Sequence, residues 1–133
     1  MSCELCDSEG GAPVWRDVHC RVVLVDETGY PGFCRVIWQA HVKEMTDLAE
    51  ADRAHLMRVV LRVEKALREL LHPDKVNLAS LGNAVPHLHW HVIPRYRDDS
   101  HFPNPIWGAS VRSPRAAGAA DIANALAERL ARL

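Results

Sequence analysis

The sequence has little net charge and no long apolar run, and each of these absences excludes a class of protein. Its formal net charge is -1 and its pI is about 6.7, whereas duplex-binding domains usually carry a basic stripe and a pI above about 9. No segment approaches the roughly 18 uncharged residues of a membrane span, and the first residues lack the basic and apolar regions of a signal peptide. We therefore expect a cytoplasmic protein that has neither nucleic acid nor a membrane as a partner.

Cysteine is also scarce, with four residues in a chain of 133. Without a signal peptide these thiols should be reduced. Cys3 and Cys6 form a Cys-x-x-Cys pair at the N-terminus, whereas a thioredoxin-like pair follows a strand and opens a helix. The pair is therefore a candidate for metal binding. Two thiolates supply only half of a tetrahedral zinc site, so the other half must come from histidine.

Length and hydrophobic patterning predict one domain over residues 1–133. A chain of this length that is 48% hydrophobic can bury roughly two thirds of its unfolded surface, and no internal repeat divides it. Apolar, β-branched runs bounded by turn residues predict strands. The predicted strands cover residues 22–25, 34–38, 76–81 and 87–95.

Helical spacing of apolar residues predicts two helices. The first covers residues 48–72, with Thr46 or Asp47 as its cap and Pro73 as its stop. The second is an alanine-rich segment over residues 119–133. Antiparallel strands around a long central helix, with a helix at the C-terminus, predict the α+β fold class and an antiparallel sheet.

Histidine alternates with leucine and tryptophan from His87 to His91. Because successive side chains of a strand point to opposite faces, the three imidazoles should share one face and the apolar side chains the other. From the residues alone, this pattern fits a functional face, a solvated histidine-rich edge or a metal clamp.

The segment 87–95, which ends in Ile-Pro-Arg, resembles the signature of the histidine triad family. Residues 36–42 resemble the strand of that family which ends in a histidine before the long helix, and residues 82–87 resemble its Gly-Gln-Ser/Thr run. The resemblance covers most of residues 3–95 and implies the histidine triad fold there. Residues 96–133 are then a C-terminal arm and helix.

The resemblance also implies a structural zinc ion. Family members with an N-terminal Cys-x-x-Cys bind zinc with that pair, the histidine before the helix and the first histidine of the triad. Carried onto this sequence, the ligands are Cys3, Cys6, His41 and His87. Four protein ligands leave no open position for a catalytic water. A catalytic metal held by all three triad histidines is the alternative, and it would leave the two cysteines unexplained.

Catalytic and substrate-binding roles follow from the same resemblance. His89 is the implied nucleophile, which attacks the α-phosphate of a nucleotide and forms a nucleotidyl-histidine that water then cleaves. His91 is placed to donate a hydrogen bond to phosphate oxygens. Asn77 and Asn83 are the implied phosphate-side amides. Asp26 is the implied ribose ligand, although a turn residue is an equal interpretation.

Two departures from the family pattern limit what can be transferred. Phe33 stands where many members have a histidine, and Ala84 lacks a hydroxyl that is often aimed at the leaving group. The leading hypothesis is a hydrolase or nucleotidyl transferase that acts on a dinucleoside polyphosphate or a nucleoside phosphoramidate. The alternatives are a zinc-stapled nucleotide-binding module with little turnover and a metal-dependent hydrolase.

Two further expectations concern surfaces. The family pairs through its long helix and an edge strand, which predicts a homodimer, and Met57, Val59 and Leu61 widen the apolar surface of that helix. The arm over residues 98–107 leaves the triad strand directly and ends at Trp107. Its position predicts a lid over the active face, with packing against the body as the alternative.

Overall fold

A computed structural model describes residues 2–116 and 122–132. Five antiparallel strands form one sheet in the order β1-β2-β3-β5-β4. The strands are β1 Ala12–Arg16, β2 Cys20–Leu24, β3 Cys34–Trp38, β4 Lys75–Ala79 and β5 His89–Arg95. The helices are α1 Glu4–Asp7, α2 Glu50–Leu71 and α3 Ile122–Leu130, with a 3-10 turn at Met45–Asp47. The predicted α+β class, with an antiparallel sheet, a long helix and a C-terminal helix, is confirmed.

The four predicted strands belong to a single sheet because β3 pairs with β5. Cys34 lies opposite Val92, and Ile37 lies opposite His89. Strand β1 was not predicted, since Pro13 lies within it and proline disfavours a strand interior. The structure accommodates this proline on the edge of the sheet, where the pairing of β1 with β2 is irregular between Pro13 and Trp15.

Helix α2 ends where the sequence predicts but begins differently. Its C-cap, His72, has a left-handed backbone (φ 49°), and Pro73 follows. The expected caps Thr46 and Asp47 lie instead in the preceding 3-10 turn, where the Asp47 carboxylate accepts the backbone N–H of Glu44. The N-cap of α2 is Ala49, which makes no side-chain cap. Residues 119–121 and 133 of the predicted C-terminal helix lie outside the described residues.

The two faces of the sheet have different surroundings. One face packs on α2 and α3, where Val36 and Val92 join Leu56 and Leu126 in the main core. The opposite face carries His89 and His91 together with a small apolar cluster of Leu5, Val23 and Ile37. Within the described residues, no helix is both long enough and apolar enough to cross a membrane.

Two cysteines outside the Cys-x-x-Cys pair lie in the core. Cys20 and Cys34 are fully buried, on β2 and β3. Burial raises the pKa of each thiol to about 12. Because the thiolate is the reactive form of cysteine, both side chains act as small apolar groups.

Candidate active site and metal centre

His89 and His91 project from β5 on the face away from α2, with ring centroids 4.9 Å apart. Both are buried, and the alternating Leu88, Trp90 and Val92 pack in the main core on the other face. The predicted alternation of faces is therefore observed. The strand begins at His89, however, and His87 lies just before it.

The ring of His89 is held in one orientation by the backbone. Its Nδ1 lies 2.5 Å from the carbonyl oxygen of His87. A carbonyl oxygen only accepts, so Nδ1 donates and Nε2 is left with its lone pair. Burial lowers the pKa of His89, and the positive charge of Arg35 lowers it further. The imidazole is therefore neutral near pH 7 and presents a nucleophilic nitrogen.

His91 lies between two aromatic rings. Phe33 contacts it edge to face at 5.8 Å between ring centroids, and Trp107 does so at 4.9 Å. Burial, then the charges of His89 and Arg35, lower the pKa of His91 to about 4. Within the described residues, its buried Nδ1 has no hydrogen-bond partner.

The four residues expected to bind zinc lie together at one end of the triad face. Their ligand atoms, one from each of Cys3, Cys6, His41 and His87, all lie within 4.8 Å of one another. His87 Nδ1 is 3.4 Å from Cys3 Sγ, 3.5 Å from Cys6 Sγ and 3.2 Å from His41 Nδ1. The edges of a tetrahedral zinc site with these ligand types are about 3.3–3.8 Å long. The donor set and its spacing therefore fit zinc.

A second interaction orients His87 toward this cluster. Its Nε2 lies 2.6 Å from the carbonyl oxygen of Trp38, to which it donates. The proton on Nε2 leaves Nδ1 free as a ligand, and such carbonyl partners commonly fix the rings of metal-binding histidines.

Arg21 holds the cysteine segment against the sheet. Its guanidinium is buried and donates to the carbonyl oxygens of Leu5 (2.7 Å), Ser8 (3.1 Å) and Glu9 (3.0 Å) and to the side chain of Gln39. The sequence interpretation missed this residue. The available signal was an arginine within the otherwise apolar strand β2, and Arg35 interrupts β3 in the same way.

The expected substrate-binding residues are dispersed. Asn77 lies on the triad face opposite Ile93, and its Oδ1 accepts a hydrogen bond from Arg95 at 2.8 Å. Asp26, after β2, and Asn83, between β4 and β5, are exposed. Among the residues that the structure describes, no hydrogen bond joins Asp26 or Asn83 to a triad histidine.

The arm after β5 is anchored by a buried ion pair and returns to the triad. Arg95 Nε and Nη2 lie 2.8 and 3.0 Å from the carboxylate oxygens of Asp99. Burial alone would raise the pKa of Asp99, but hydrogen bonds from Arg95, Tyr96 and Phe102 outweigh it and hold the pKa well below its usual range. From this anchor the chain brings the half-exposed Trp107 onto His91.

Residues 11–98 match the family model described as the HIT domain. The chain belongs to the HIT domain family. A crystal structure of a histidine triad protein from Bradyrhizobium japonicum is 34% identical, with a TM-score of 0.75 over 93% of this chain and 90% of that one. A Zn-bound histidine triad family protein from Mycobacterium smegmatis is 25% identical, with a TM-score of 0.70 over 99% of this chain and 95% of that one.

Among curated relatives of this HIT protein is an AP-4-A phosphorylase of Mycobacterium tuberculosis (strain ATCC 25618 / H37Rv). It is 29% identical over 87 residues, which make up 61% of this chain and 45% of the relative. The chain thus spans less than half the length of that relative.

Proposed function

We propose that this HIT protein is a nucleotide hydrolase or nucleotidyl transferase that cleaves at the α-phosphate of a nucleoside phosphate derivative. The observation that carries the proposal is the contact of His89 Nδ1 with the carbonyl oxygen of His87 at 2.5 Å, which leaves Nε2 unprotonated. A neutral imidazole in a fixed tautomer is the form that can attack phosphorus.

The proposed reaction has two displacements. His89 Nε2 forms a bond to the α-phosphorus while the bond from phosphorus to the leaving group breaks. Water then attacks the same phosphorus, the bond to Nε2 breaks, and the nucleoside monophosphate is released. If another acceptor attacks in place of water, that acceptor takes up the nucleotidyl group. His91 is the adjacent donor for phosphate oxygens, where it would stabilise charge that develops in each transition state.

The substrate class rests on a comparison and on two family residues that this chain lacks. The phosphorylase relative is named for a dinucleoside polyphosphate, which supports such a compound as the substrate. A nucleoside phosphoramidate is the other candidate. Ala84 provides no hydroxyl to a leaving group, and Phe33 provides a ring without a donor. The proposed reaction therefore relies on His89 and His91 for contacts with the phosphate, and not on these two positions.

We also propose that a structural Zn²⁺ ion is held by Cys3, Cys6, His41 and His87. The distances between their ligand atoms, given above, support this proposal. Bound there, zinc would supply a rigid crosslink between the N-terminal segment and the sheet. His87 has two tasks in this arrangement: its ring is a ligand, and its carbonyl oxygen accepts the proton of His89 Nδ1.

Trapping of the covalent intermediate tests the proposed function. The wild-type protein is mixed with diadenosine tetraphosphate or an adenosine phosphoramidate, quenched in base and mapped by mass spectrometry. We expect an adenylyl group on His89, and we expect His89→Asn to lose both the adduct and turnover while it keeps its fold. His72→Asn is the matched control, since His72 is exposed and asparagine tolerates its left-handed backbone. An adduct on another residue would contradict the assignment.

Nucleotide binding without turnover is the remaining candidate function. The absence of a donor at Ala84 and at Phe33 favours it, because a leaving group then has fewer side chains to stabilise its departure. Calorimetric binding of AMP together with no measurable hydrolysis of either substrate class would support this candidate over catalysis.

A further inference from the structure

Two buried polar side-chain atoms lack hydrogen-bond partners within the described residues, and they belong to neighbouring side chains. They are Arg35 Nε and His91 Nδ1. Arg35 and His91 are directly opposed on the paired strands β3 and β5. Side chains of directly opposed residues share a face, with Cβ atoms about 4.5–5.5 Å apart. Since most buried polar groups are hydrogen-bonded, two exceptions at one point beside the nucleophile call for an explanation.

Arg35 is held on the triad face by the backbone. Its Nη1 donates to the carbonyl oxygen of Gly10 at 2.9 Å. Gly10 itself has φ 80°, and a Cβ atom there would lie 2.7 Å from Leu5 Cδ2, so this turn requires glycine. The guanidinium is therefore fixed between the cysteine segment and the triad, with little freedom to turn toward bulk solvent.

Among the described residues, Arg35 has no carboxylate partner, unlike the two other arginines on this side of the sheet. Arg21 lies 3.5 Å from a carboxylate oxygen of Glu9, and Arg95 lies 2.8 Å from Asp99. Arg35 makes no ion pair with any residue that the structure describes.

We propose that Arg35, on the strand beside His91, is an anion subsite that binds a phosphate oxyanion of the nucleotide. This inference rests on the proposed function only in taking the anion from a nucleotide; it does not require turnover. Arginine carries a permanent charge and a fixed fork of N–H donors, which suits a phosphate oxygen. A phosphate oxygen in this position would supply the partner that Arg35 Nε lacks among the described residues and would neutralise a charge that no described carboxylate pairs with.

The oxyanion has two possible sources, which are the α-phosphate at His89 and the phosphate chain that leaves. AMP carries the first alone, and inorganic pyrophosphate resembles the second. Calorimetry at constant ionic strength with AMP, pyrophosphate and adenosine therefore locates the contact. Three proteins are compared: wild type, Arg35→Met, which removes the charge, and Arg35→Lys, which keeps the charge but loses the fork.

We expect Arg35→Met to weaken binding of AMP, of pyrophosphate or of both by about 10- to 100-fold, the range for loss of one charge-assisted hydrogen bond. Arg35→Lys should recover part of this loss, and adenosine should bind all three proteins equally. Arg53→Met is the matched control. Arg53 lies on helix α2, is also half-buried, and donates to one backbone carbonyl oxygen, that of Leu48. It should leave all three affinities unchanged.

Three outcomes would overturn the subsite: anion affinities that Arg35→Met leaves within about twofold of wild type, equal losses for adenosine and AMP, or a wild-type protein that binds neither anion. Failure of the catalytic proposal looks different. In that case AMP or pyrophosphate binding would depend on Arg35 while no adduct forms on His89. Conversely, an adduct on His89 with an unchanged KM in Arg35→Met and Arg35→Lys would remove the subsite alone.

Discussion

At the scale of single residues, the two histidines of β5 differ in what their Nδ1 atoms contact. Nδ1 of His89 donates to a carbonyl oxygen, whereas Nδ1 of His91 has no partner within the described residues. The first arrangement fixes a tautomer, and the second leaves the ring dependent on its aromatic neighbours and on Arg35. The same residue type therefore has two different environments two positions apart.

His91 predicts a specific loss of stability in acid. Its pKa is lowered from 6.5 to about 4 in the fold, so the unfolded chain takes up this proton first as the pH falls. The contribution of His91 to the free energy of unfolding is fully present above pH 6.5. It is lost as the pH falls through 4, by about 3 kcal/mol in all, with about 2 kcal/mol lost by pH 5.

Urea unfolding of wild type and His91→Gln at pH 7 and pH 5 measures how much His91 contributes to the pH dependence of the free energy of unfolding. We expect the free energy of unfolding to fall more steeply in the wild type, by about 2 kcal/mol between these two pH values. Equal pH dependence in both proteins would mean that His91 titrates normally in the folded state.

At the scale of elements, the arm after β5 is held at its start by a buried ion pair and makes a half-exposed aromatic contact at its end. The Arg95–Asp99 ion pair fixes its start, and Trp107 at its end contacts His91 while half of its surface stays exposed. An element that is fixed at one end and lightly packed at the other suits a lid over the triad.

Trp107→Ala tests the lid. Trp107 is half exposed and its ring contact is with His91, so its truncation should cost about 1 kcal/mol, or about 3–5 °C in melting temperature, while nucleotide affinity should fall about tenfold. Ile106→Ala is the control, since Ile106 packs on the cluster of Tyr30, Phe33 and Ile93 and should lower stability without weakening binding. A loss of about 3–5 kcal/mol for Trp107→Ala with normal binding in the cold would identify a packing anchor instead.

The N-terminal segment is an element whose conformation should depend on metal. We expect about one zinc per purified chain, and we expect Cys3→Ala and Cys6→Ala to lose it together with at least about 2.7 kcal/mol of stability when free zinc exceeds its Kd a hundredfold. Elemental analysis measures the zinc content, and thermal melting measures the loss of stability. Cys34→Ala is a matched control that destabilises the core but keeps the zinc. Equal zinc content in wild type and a Cys3/Cys6 double variant would contradict the assignment.

The sequence predicts those elements that depend on local patterns, and it misses those that depend on contacts with distant segments. Helix α2 and the alternation on β5 follow from local periodicity, which is why both were predicted. Strand β1 was missed because its Pro13 is tolerated only by an irregular edge pairing, and that pairing depends on the position of β2. Arg21 and Arg35 were missed because their partners, including the carbonyl oxygens of residues 5 to 10, come from a distant segment.

At the scale of the whole molecule, the sheet formed by the described residues ends in an edge strand that is paired on one side. Strand β4 is at one edge of the sheet, where its outer N–H and C=O groups can pair with a second chain. Leu78 on β4 is 36% exposed, and Leu61 on α2 is 50% exposed. Of the other two residues expected to cover a partner, Val59 is buried in its own core and Met57 is half-buried against it. The available apolar surface is therefore narrower than the sequence indicated.

We expect a homodimer of twice 14.9 kDa by light scattering, held by β4 and the exposed part of α2. Leu61→Lys and Leu78→Lys should each weaken association at least tenfold. Val18→Lys serves as the control, because Val18 is 85% exposed between β1 and β2, away from strand β4. A wild-type protein that scatters as a monomer at working concentration would refute the dimer.

The contact between Trp107 and His91 has an optical consequence. A protonated imidazole against an indole accepts an excited electron and quenches its fluorescence, whereas a neutral one does not. With ring centroids 4.9 Å apart, the emission of Trp107 should therefore report the charge of His91 directly, and subtraction of a Trp107→Phe spectrum removes the signal of the three other tryptophans. The candidate active site of this HIT protein would then contain its own spectroscopic label for the ionisation of His91, which is read without a dye.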